Sequence, residues 1–176
     1  IITLCASCAS HLKHNYPVLL EDDVKLKEKV ASFSAKVIDL SSFIHDVLKL
    51  KPEDFEGDGM KATFHSPCHL CRGLGVHDAP RNLIKYAGMD YREAPEEEVC
   101  CGFGGTYSAK FPELSEQLLK NKLDNVESTG ADILLTDCPG CVMQLRGGLK
   151  KRGSAIKVQH TVEAISARRK KKKTDK

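Results

Sequence analysis

The sequence contains no long apolar run, few aromatic residues and no basic stripe outside its C-terminal end. No segment approaches the roughly 18 apolar residues that predict a membrane-spanning helix. The sequence does not show a basic segment followed by an apolar segment, which is the pattern of a secretory signal. Because aromatic residues make up only 6% of the chain, nucleic-acid binding is not expected to be its role. We therefore expect a soluble cytoplasmic protein whose membrane association, if any, comes through partners.

Basic charge is concentrated at the C-terminal end. Residues 168–176 contain seven bases and one acid, whereas the rest of the chain contains 20 bases and 23 acids. Runs of like charge usually remain solvated. We predict that residues 168–176 form a disordered basic tail.

The eight cysteines need a chemical explanation, because the chain is long enough to fold without covalent or metal cross-links. A chain of 176 residues buries roughly two-thirds of the surface that its unfolded form exposes. In the cytoplasm thiols stay reduced, and a cysteine-rich pattern there indicates metal binding or redox chemistry. A secreted disulfide-bonded protein is the alternative.

Short apolar runs alternate with amphipathic segments. Strands are predicted at residues 1–4, 35–40, 61–65, 131–136 and 156–160. Helices are predicted around 9–31, after Ser41 or Ser42 as the N-cap, and at 79–88, 112–129 and 141–150. This alternation predicts an α/β fold with a mostly parallel sheet flanked by helices.

Most cysteines directly follow predicted strands. Cys5 and Cys8 follow the strand at 1–4, Cys68 follows the strand at 61–65, and Cys138 and Cys141 follow the strand at 131–136. Sites in parallel sheets lie at the carboxyl ends of the strands. We therefore expect a cysteine cluster at one edge of the sheet.

Five cysteines follow the pattern C-x31-C-C-x36-C-x2-C, namely Cys68, Cys100, Cys101, Cys138 and Cys141. A C-x2-C pair alone is compatible with zinc, thiol–disulfide exchange or an iron–sulfur cluster. Neighbouring side chains on an extended backbone point in opposite directions, so the adjacent pair can bind one small ion only with strain. Because four thiolates complete a structural zinc site, five favour an iron–sulfur cluster, with zinc as the alternative.

Several other residues lie near the predicted cluster. Gly102, Gly104 and Gly105 either bring backbone amides close to sulfur or form a tight turn. Three histidines also lie near the predicted cluster: His65, His69 and His160. Each is a candidate for hydrogen bonding to a ligand sulfur, for proton transfer or for substrate contact, and the alternative for each is a structural role. Two basic residues, Arg72 and Lys110, are candidates for offsetting cluster charge, or are surface residues.

Four stretches of sequence resemble the cysteine-rich CCG-domain family: "FHSPCHLCRGLGV", "CCGFGGTYSAKFPELS", "LLTDCPGCVMQL" and "IKVQHTVEAI". The resemblance covers about residues 61–167. The family includes iron–sulfur subunits of glycolate oxidase, of lactate-utilisation systems and of anaerobic glycerol-3-phosphate dehydrogenase, and one of the subunits of heterodisulfide reductase. The wording of "CCGFGGTYS" and "HTVEAI" is most similar to the glycolate and lactate members.

The resemblance implies a function, a cofactor and partners. Cys68, Cys100, Cys101, Cys138 and Cys141 would bind a [4Fe-4S] cluster, which is non-cubane in heterodisulfide reductase. The protein would be the electron-transfer subunit of an oxidoreductase complex that oxidises a 2-hydroxy acid such as glycolate or lactate. Its partners would be a flavoprotein subunit, other iron–sulfur subunits, and a quinone or other electron acceptor. A catalytic disulfide or heterodisulfide reductase subunit and a structural zinc module are the alternatives.

The resemblance also implies a domain organisation. Family members usually carry two repeats, and "IITLCASCASHLK" resembles the end of a first repeat. We therefore expect a C-terminal fragment in which residues 1–34 are a repeat remnant and 35–167 form the cysteine-rich domain. In this interpretation Cys5 and Cys8 belong to an incomplete metal site. Cys71 departs from the family pattern and is either a spare thiol or a sixth ligand.

Overall fold

Strands and helices alternate along residues 1–170, the part of the chain that the computed structural model describes. The strands are β1 (Ile2–Thr3), β2 (Ile38–Asp39), β3 (Lys61–Phe64), β4 (Asp90–Tyr91), β5 (Ile133–Thr136) and β6 (Lys157–His160). The α-helices are α1 (Ala6–Ser10), α2 (Tyr16–Leu19), α3 (Lys27–Ala35), α4 (Leu40–Ser42), α5 (Asp78–Tyr86), α6 (Thr106–Lys110), α7 (Pro112–Ser128), α8 (Pro139–Lys151) and α9 (Thr161–Ala167). Further helical turns lie at His11–Asn15, Phe43–Val47, Pro52–Asp54 and His69–Gly73. Within residues 1–170, no helix has both the length and the apolar content needed to cross a bilayer.

Four of the strands form a parallel sheet in the order β4-β3-β5-β6, and β1 pairs in parallel with β2. Side chains of β5 are buried on both faces of the sheet. Ile133 and Leu135 share a core with α5 and α9, whereas Leu134 shares a core with α7 and α8. Helices therefore cover both faces, as all-parallel sheets require, and the predicted α/β fold is confirmed.

Strand β4 is not predicted from the sequence. Its two residues pair with Lys61 and Ala62 at the edge of the sheet. A strand of two residues is too short to show an alternating pattern. β4 nevertheless matters for the site, because it directs the chain into the loop that carries Cys100 and Cys101.

The single helix predicted at 9–31 is wrong, because residues 20–26 interrupt it. The carboxylate of Asp23 accepts hydrogen bonds from the backbone N–H groups of Lys25 and Leu26, at 2.9 and 3.1 Å. Such side-chain bonds stabilise a turn in place of a continuing helix.

The N-cap after β2 is Asp39, and neither of the predicted serines has that role. The carboxylate of Asp39 accepts the backbone N–H of Ser42 at 2.9 Å. Ser41 lies inside the first turn, and its hydroxyl donates to the Asp137 carboxylate at 2.5 Å. The correction follows from strand length, since β2 ends at Asp39 and the helix begins one residue later.

Two segments of the chain have the same local architecture, and we call them the first unit (residues 2–47) and the second unit (residues 133–167). Each has a strand ending in threonine, a C-x2-C pair two residues later, a helix, and a second strand parallel to the first. Thr3 pairs with Asp39 and Thr136 pairs with His160. Both partners then cap the following helix. The two units thus share a local architecture, and the origin of residues 1–34 in a related repeat stays a prediction.

The first residues of the predicted tail are packed against the body of the protein. The guanidinium of Arg168 lies 2.6 Å from the Asp58 carboxylate. Lys170 donates a hydrogen bond from Nζ to the Glu53 carbonyl at 2.8 Å. The prediction of a disordered tail therefore does not describe residues 168–170, and the rest of that tail, 171–176, lies outside the described residues.

Candidate metal centre

The carboxyl ends of the strands surround a cavity of about 350 Å³. Six cysteines line it: Cys5, Cys68, Cys100, Cys101, Cys138 and Cys141. They come from the ends of β1, β3 and β5 and from the loop after β4. The structure thus brings together all five cysteines of the spacing pattern, and it adds Cys5.

The other two cysteines lie outside the cavity lining. Cys8 is exposed. Cys71 is only 2% exposed, and its thiol lies 3.9 Å from the carbonyl oxygen of Cys68. The sequence analysis grouped Cys5 with Cys8 in a separate site. In the structure Cys5 precedes α1 and lines the cavity, whereas Cys8 lies within α1 and does not, although the side chains of the two cysteines contact each other.

The six thiols form a continuous series of neighbours in the order Cys68, Cys100, Cys101, Cys141, Cys138 and Cys5. Hydrogen bonds from Cys101 and Cys68 lower the pKa of the Cys100 thiol. Hydrogen bonds from Cys141 and Cys5 lower the pKa of the Cys138 thiol in the same way. The same contacts raise the pKa values of Cys5, Cys68, Cys101 and Cys141, so neighbouring thiols of the series share protons, and the thiolate is the form that binds metals.

Ser7 and His69 connect Cys68, at one end of this series, with Cys138. The Ser7 hydroxyl lies 3.2 Å from Nδ1 of His69 and 3.6 Å from Sγ of Cys138. The same Nδ1 lies 3.9 Å from Sγ of Cys68. The first unit therefore supplies both a thiol and a hydroxyl to the site.

The glycine-rich turn brings a backbone amide to sulfur, which is one of the two roles that the sequence left open for it. The N–H of Gly102 donates to Sγ of Cys100 at 3.3 Å. Gly102 has a φ of 85°, and a Cβ atom there would lie 2.4 Å from the carbonyl oxygen of Ser115. Only glycine fits this position.

His65 and His160 have different environments. His65 is 1% exposed and lines the cavity, and burial lowers the pKa of its imidazole to about 3. The ring is therefore neutral near neutral pH. His160 has a structural role, because its Nε2 lies 2.7 Å from the Leu4 carbonyl and its Nδ1 accepts the Val162 N–H at 3.3 Å.

A buried lysine close to the site was missed by the sequence analysis. Lys122 is 2% exposed, and its Nζ donates to the carbonyls of Glu96 and Glu97 at 2.5 and 3.2 Å. Burial lowers the pKa of Lys122, and the thiol of Cys101 acts in the opposite direction. The sequence does carry a signal, since residue 122 falls on the apolar stripe of α7, four residues before Val126.

The two cations that the sequence analysis proposed are not part of the site. Arg72 and Lys110 are exposed, and neither lines the cavity. Their nearness in sequence to the cysteines was misleading, because each lies at the end of a helical turn that leads away from the strand ends.

An ion pair and a tyrosine hold the loop that leads to the adjacent cysteines. Nη2 of Arg81 lies 2.8 Å from Oε1 of Glu97, whose side chain is 2% exposed. The hydroxyl of Tyr91 donates to the other oxygen of the same carboxylate. Burial raises the pKa of Glu97, while Tyr91 and Arg81 oppose the rise. This network anchors the loop three residues before Cys100.

Comparison with known proteins identifies relatives of the whole chain. A family model for a cysteine-rich domain, CCG, matches residues 62–146. Lactate utilization protein A of Geobacillus sp. (strain WCH70) is 39% identical over 170 residues, which cover 96% of this chain and 70% of that protein. The protein of the same name from Halalkalibacterium halodurans is 38% identical over 168 residues, covering 94% of this chain and 68% of the relative. The chain belongs to the CCG cysteine-rich domain family that includes these lactate utilization proteins A.

Proposed function

We propose that this protein is an iron–sulfur component of lactate utilisation, the electron-transfer subunit of a flavin-linked oxidoreductase that acts on a 2-hydroxy acid such as lactate or glycolate. The name of its relatives, lactate utilization protein A, supports the substrate class. The observation that carries the proposal is the arrangement of the adjacent thiols. Cys100 has Cys68 as its other neighbour, whereas Cys101 has Cys141. The adjacent thiols also contact each other, so they lie in the middle of a row of thiols, and such a row suits a cluster with several irons better than a single ion that four thiolates complete.

The residues of the cavity fit such a cluster. Cys68, Cys100, Cys101, Cys138 and Cys141 would hold it, and soft thiolates are the ligands that iron–sulfur clusters require. The cavity volume of about 350 Å³ falls at the lower end of cofactor and ligand sites, which occupy roughly 300–1,000 Å³. Bound there, a [4Fe-4S] cluster, cubane or non-cubane, would supply one-electron transfer between a flavoprotein partner and a quinone or other acceptor.

The protein's own groups would bind and tune this cofactor. The Gly102 amide donates to a ligand sulfur, and such bonds raise the reduction potential. The buried Lys122 ammonium lies on the side of the adjacent thiols and would offset negative charge. The cavity is open beside His69 and Gly105, which are exposed. We expect the flavoprotein and other iron–sulfur subunits to approach from this side, in the cytoplasm or at a membrane to which partners recruit the complex.

Metal and sulfide analysis of anaerobically reconstituted protein tests the proposal. We expect about four iron and about four sulfide ions per chain, with an electron paramagnetic resonance signal on reduction. Reduction of the bound centre by a lactate- or glycolate-reduced flavoprotein partner would support the electron-transfer role. Zinc alone, retained through repeated reconstitution, would contradict it.

A structural zinc site is the second candidate, and one observation favours it. A ring nitrogen of His65 and the Sγ atoms of Cys101 and Cys141 lie within 4.8 Å of one another. Such a nitrogen and sulfur set is typical of zinc. One tightly bound zinc ion per chain in a colourless sample, with no gain of iron, would favour this candidate.

A further inference from the structure

The imidazole of His65 faces the thiols of the candidate metal centre. His65 directly follows β3, is 1% exposed and lines the cavity. One of its ring nitrogens lies within 4.8 Å of the Sγ atoms of both Cys101 and Cys141. Metal–sulfur and metal–nitrogen bonds are about 2.3 and about 2.0 Å long, so donors around one tetrahedral ion lie about 3.5–3.8 Å apart, and a small adjustment of these side chains at most would bring them to one ion.

Nδ1 of His65 has no hydrogen-bond partner among the described residues, although it is fully buried. Buried polar atoms are nearly always paired, and an unpaired one is costly. The other histidine of the cavity differs, because Nδ1 of His69 lies 3.2 Å from the Ser7 hydroxyl. A metal ion bound at Nδ1 would give this buried nitrogen a partner.

We propose that His65 is a nitrogen ligand of the metal ion that Cys101 and Cys141 bind. The inference rests on the proposed metal-binding function, and it adds a ligand that the five-cysteine pattern does not contain. A neutral imidazole donates without adding the negative charge of a thiolate. Replacement of thiolate by imidazole raises the reduction potential of iron–sulfur clusters, so this ligand would make the centre easier to reduce.

Cobalt binding to the metal-free protein tests this ligand without relying on a cluster. Co²⁺ is titrated into the wild-type chain, into His65→Gln and into the matched control His45→Gln, a partly buried histidine that does not line the cavity. We expect His65→Gln to bind Co²⁺ at least about tenfold more weakly, the size of effect seen when metal-site residues are lost, and to shift the visible d–d bands. The control should behave like the wild type. Unchanged affinity and bands in His65→Gln, or no Co²⁺ binding by the wild type, would overturn the proposal.

Isotope labelling tests the same ligand in the iron-loaded protein and does not depend on the stability of a variant. The wild-type chain is labelled with [¹⁵N]histidine and studied by pulsed electron paramagnetic resonance after reconstitution. A strong ¹⁵N coupling, lost in His65→Gln, is the expected result. No strong coupling in a sample with full iron and sulfide would overturn the His65 assignment while the iron–sulfur function stands. Cobalt binding through His65 in a protein that takes up no iron would support the ligand and contradict the iron–sulfur function.

Discussion

The first and second units share one local architecture but differ in how well they enclose their cysteines. In the second unit Cys138 and Cys141 are 6% and 8% exposed, and both line the cavity. In the first unit Cys5 is half-buried and Cys8 is exposed. Among the described residues β5 is flanked by strands on both sides, whereas β1 pairs with β2 alone. A C-x2-C pair therefore positions its thiols locally, and the neighbouring strand and loop decide whether both thiols reach a metal centre.

The largest expected difference in iron content comes from replacing the second cysteine of each C-x2-C pair, Cys141 in the second unit and Cys8 in the first. Cys141→Ser removes the thiol that lies between Cys101 and Cys138, so we expect most of the iron to be lost after anaerobic reconstitution. Cys8→Ser removes an exposed thiol outside the cavity and should leave the iron and sulfide content unchanged. Iron and sulfide per chain are measured for both variants. Equal losses would show that the two units bind metal equivalently, despite the difference in how they enclose their cysteines.

The next effect concerns the Glu97 network, which anchors the loop that brings Cys101 to Cys141 of the second unit. Arg81→Met leaves the Glu97 carboxylate buried without its cation, and breaking a buried ion pair costs about 3 kcal/mol or more. The matched control is Arg92→Met, whose partner Asp90 is exposed, and exposed pairs contribute less than about 1 kcal/mol. Urea unfolding of the metal-free protein measures the loss of unfolding free energy in both variants. Similar stabilities of the two variants would contradict a supporting role for the Glu97 network.

The regular strands and the convergence of the cysteines could be predicted from the sequence, because both follow from local patterns. A buried strand such as β5 shows as a continuous apolar run, and a cysteine after such a run lies at the carboxyl edge of a parallel sheet. The structure places Cys68 and Cys138 at that edge. Local patterns fail where a side chain competes with the backbone, as Asp23 does in ending a helix.

Contacts between distant segments could not be predicted in this way. The Ala6 N–H donates to the carbonyl of Asp137 at 3.1 Å, a contact between the two units that no spacing rule contains. This contact is next to Cys5 and explains why Cys5 joins the cavity. Lys122 could have been found, since a lysine on an apolar helix stripe needs buried acceptors, which the Glu96 and Glu97 carbonyls supply.

A smaller effect on Co²⁺ affinity is expected from a variant that tests what the first unit contributes to the site. Cys5→Ala removes a thiol that hydrogen-bonds to Cys138, and the loss of a group that supports a metal ligand weakens metal binding by about tenfold. Competition with a chelator measures the Co²⁺ affinity, and Cys8→Ala is the control. If the affinities of the two variants coincide, Cys5 lines the cavity without supporting the metal.

The smallest effect is expected for the two residues that cap helices at equivalent positions, Asp39 and His160. Asp39→Ala removes one hydrogen bond to a backbone N–H, and the loss of an N-cap costs about 1 kcal/mol. His160→Ala removes the corresponding cap, and it also removes the contact of Nε2 with the Leu4 carbonyl, which joins the second unit to the first. We therefore expect His160→Ala to be more destabilising by about 1 kcal/mol, the net contribution of one hydrogen bond. Thermal and urea unfolding of the metal-free variants measure the difference. A double variant, His160→Ala with Cys5→Ala, then tests the link between the two units. Its loss of Co²⁺ binding free energy should be smaller than the sum of the losses in the two single variants, because both substitutions release the segment that follows β1.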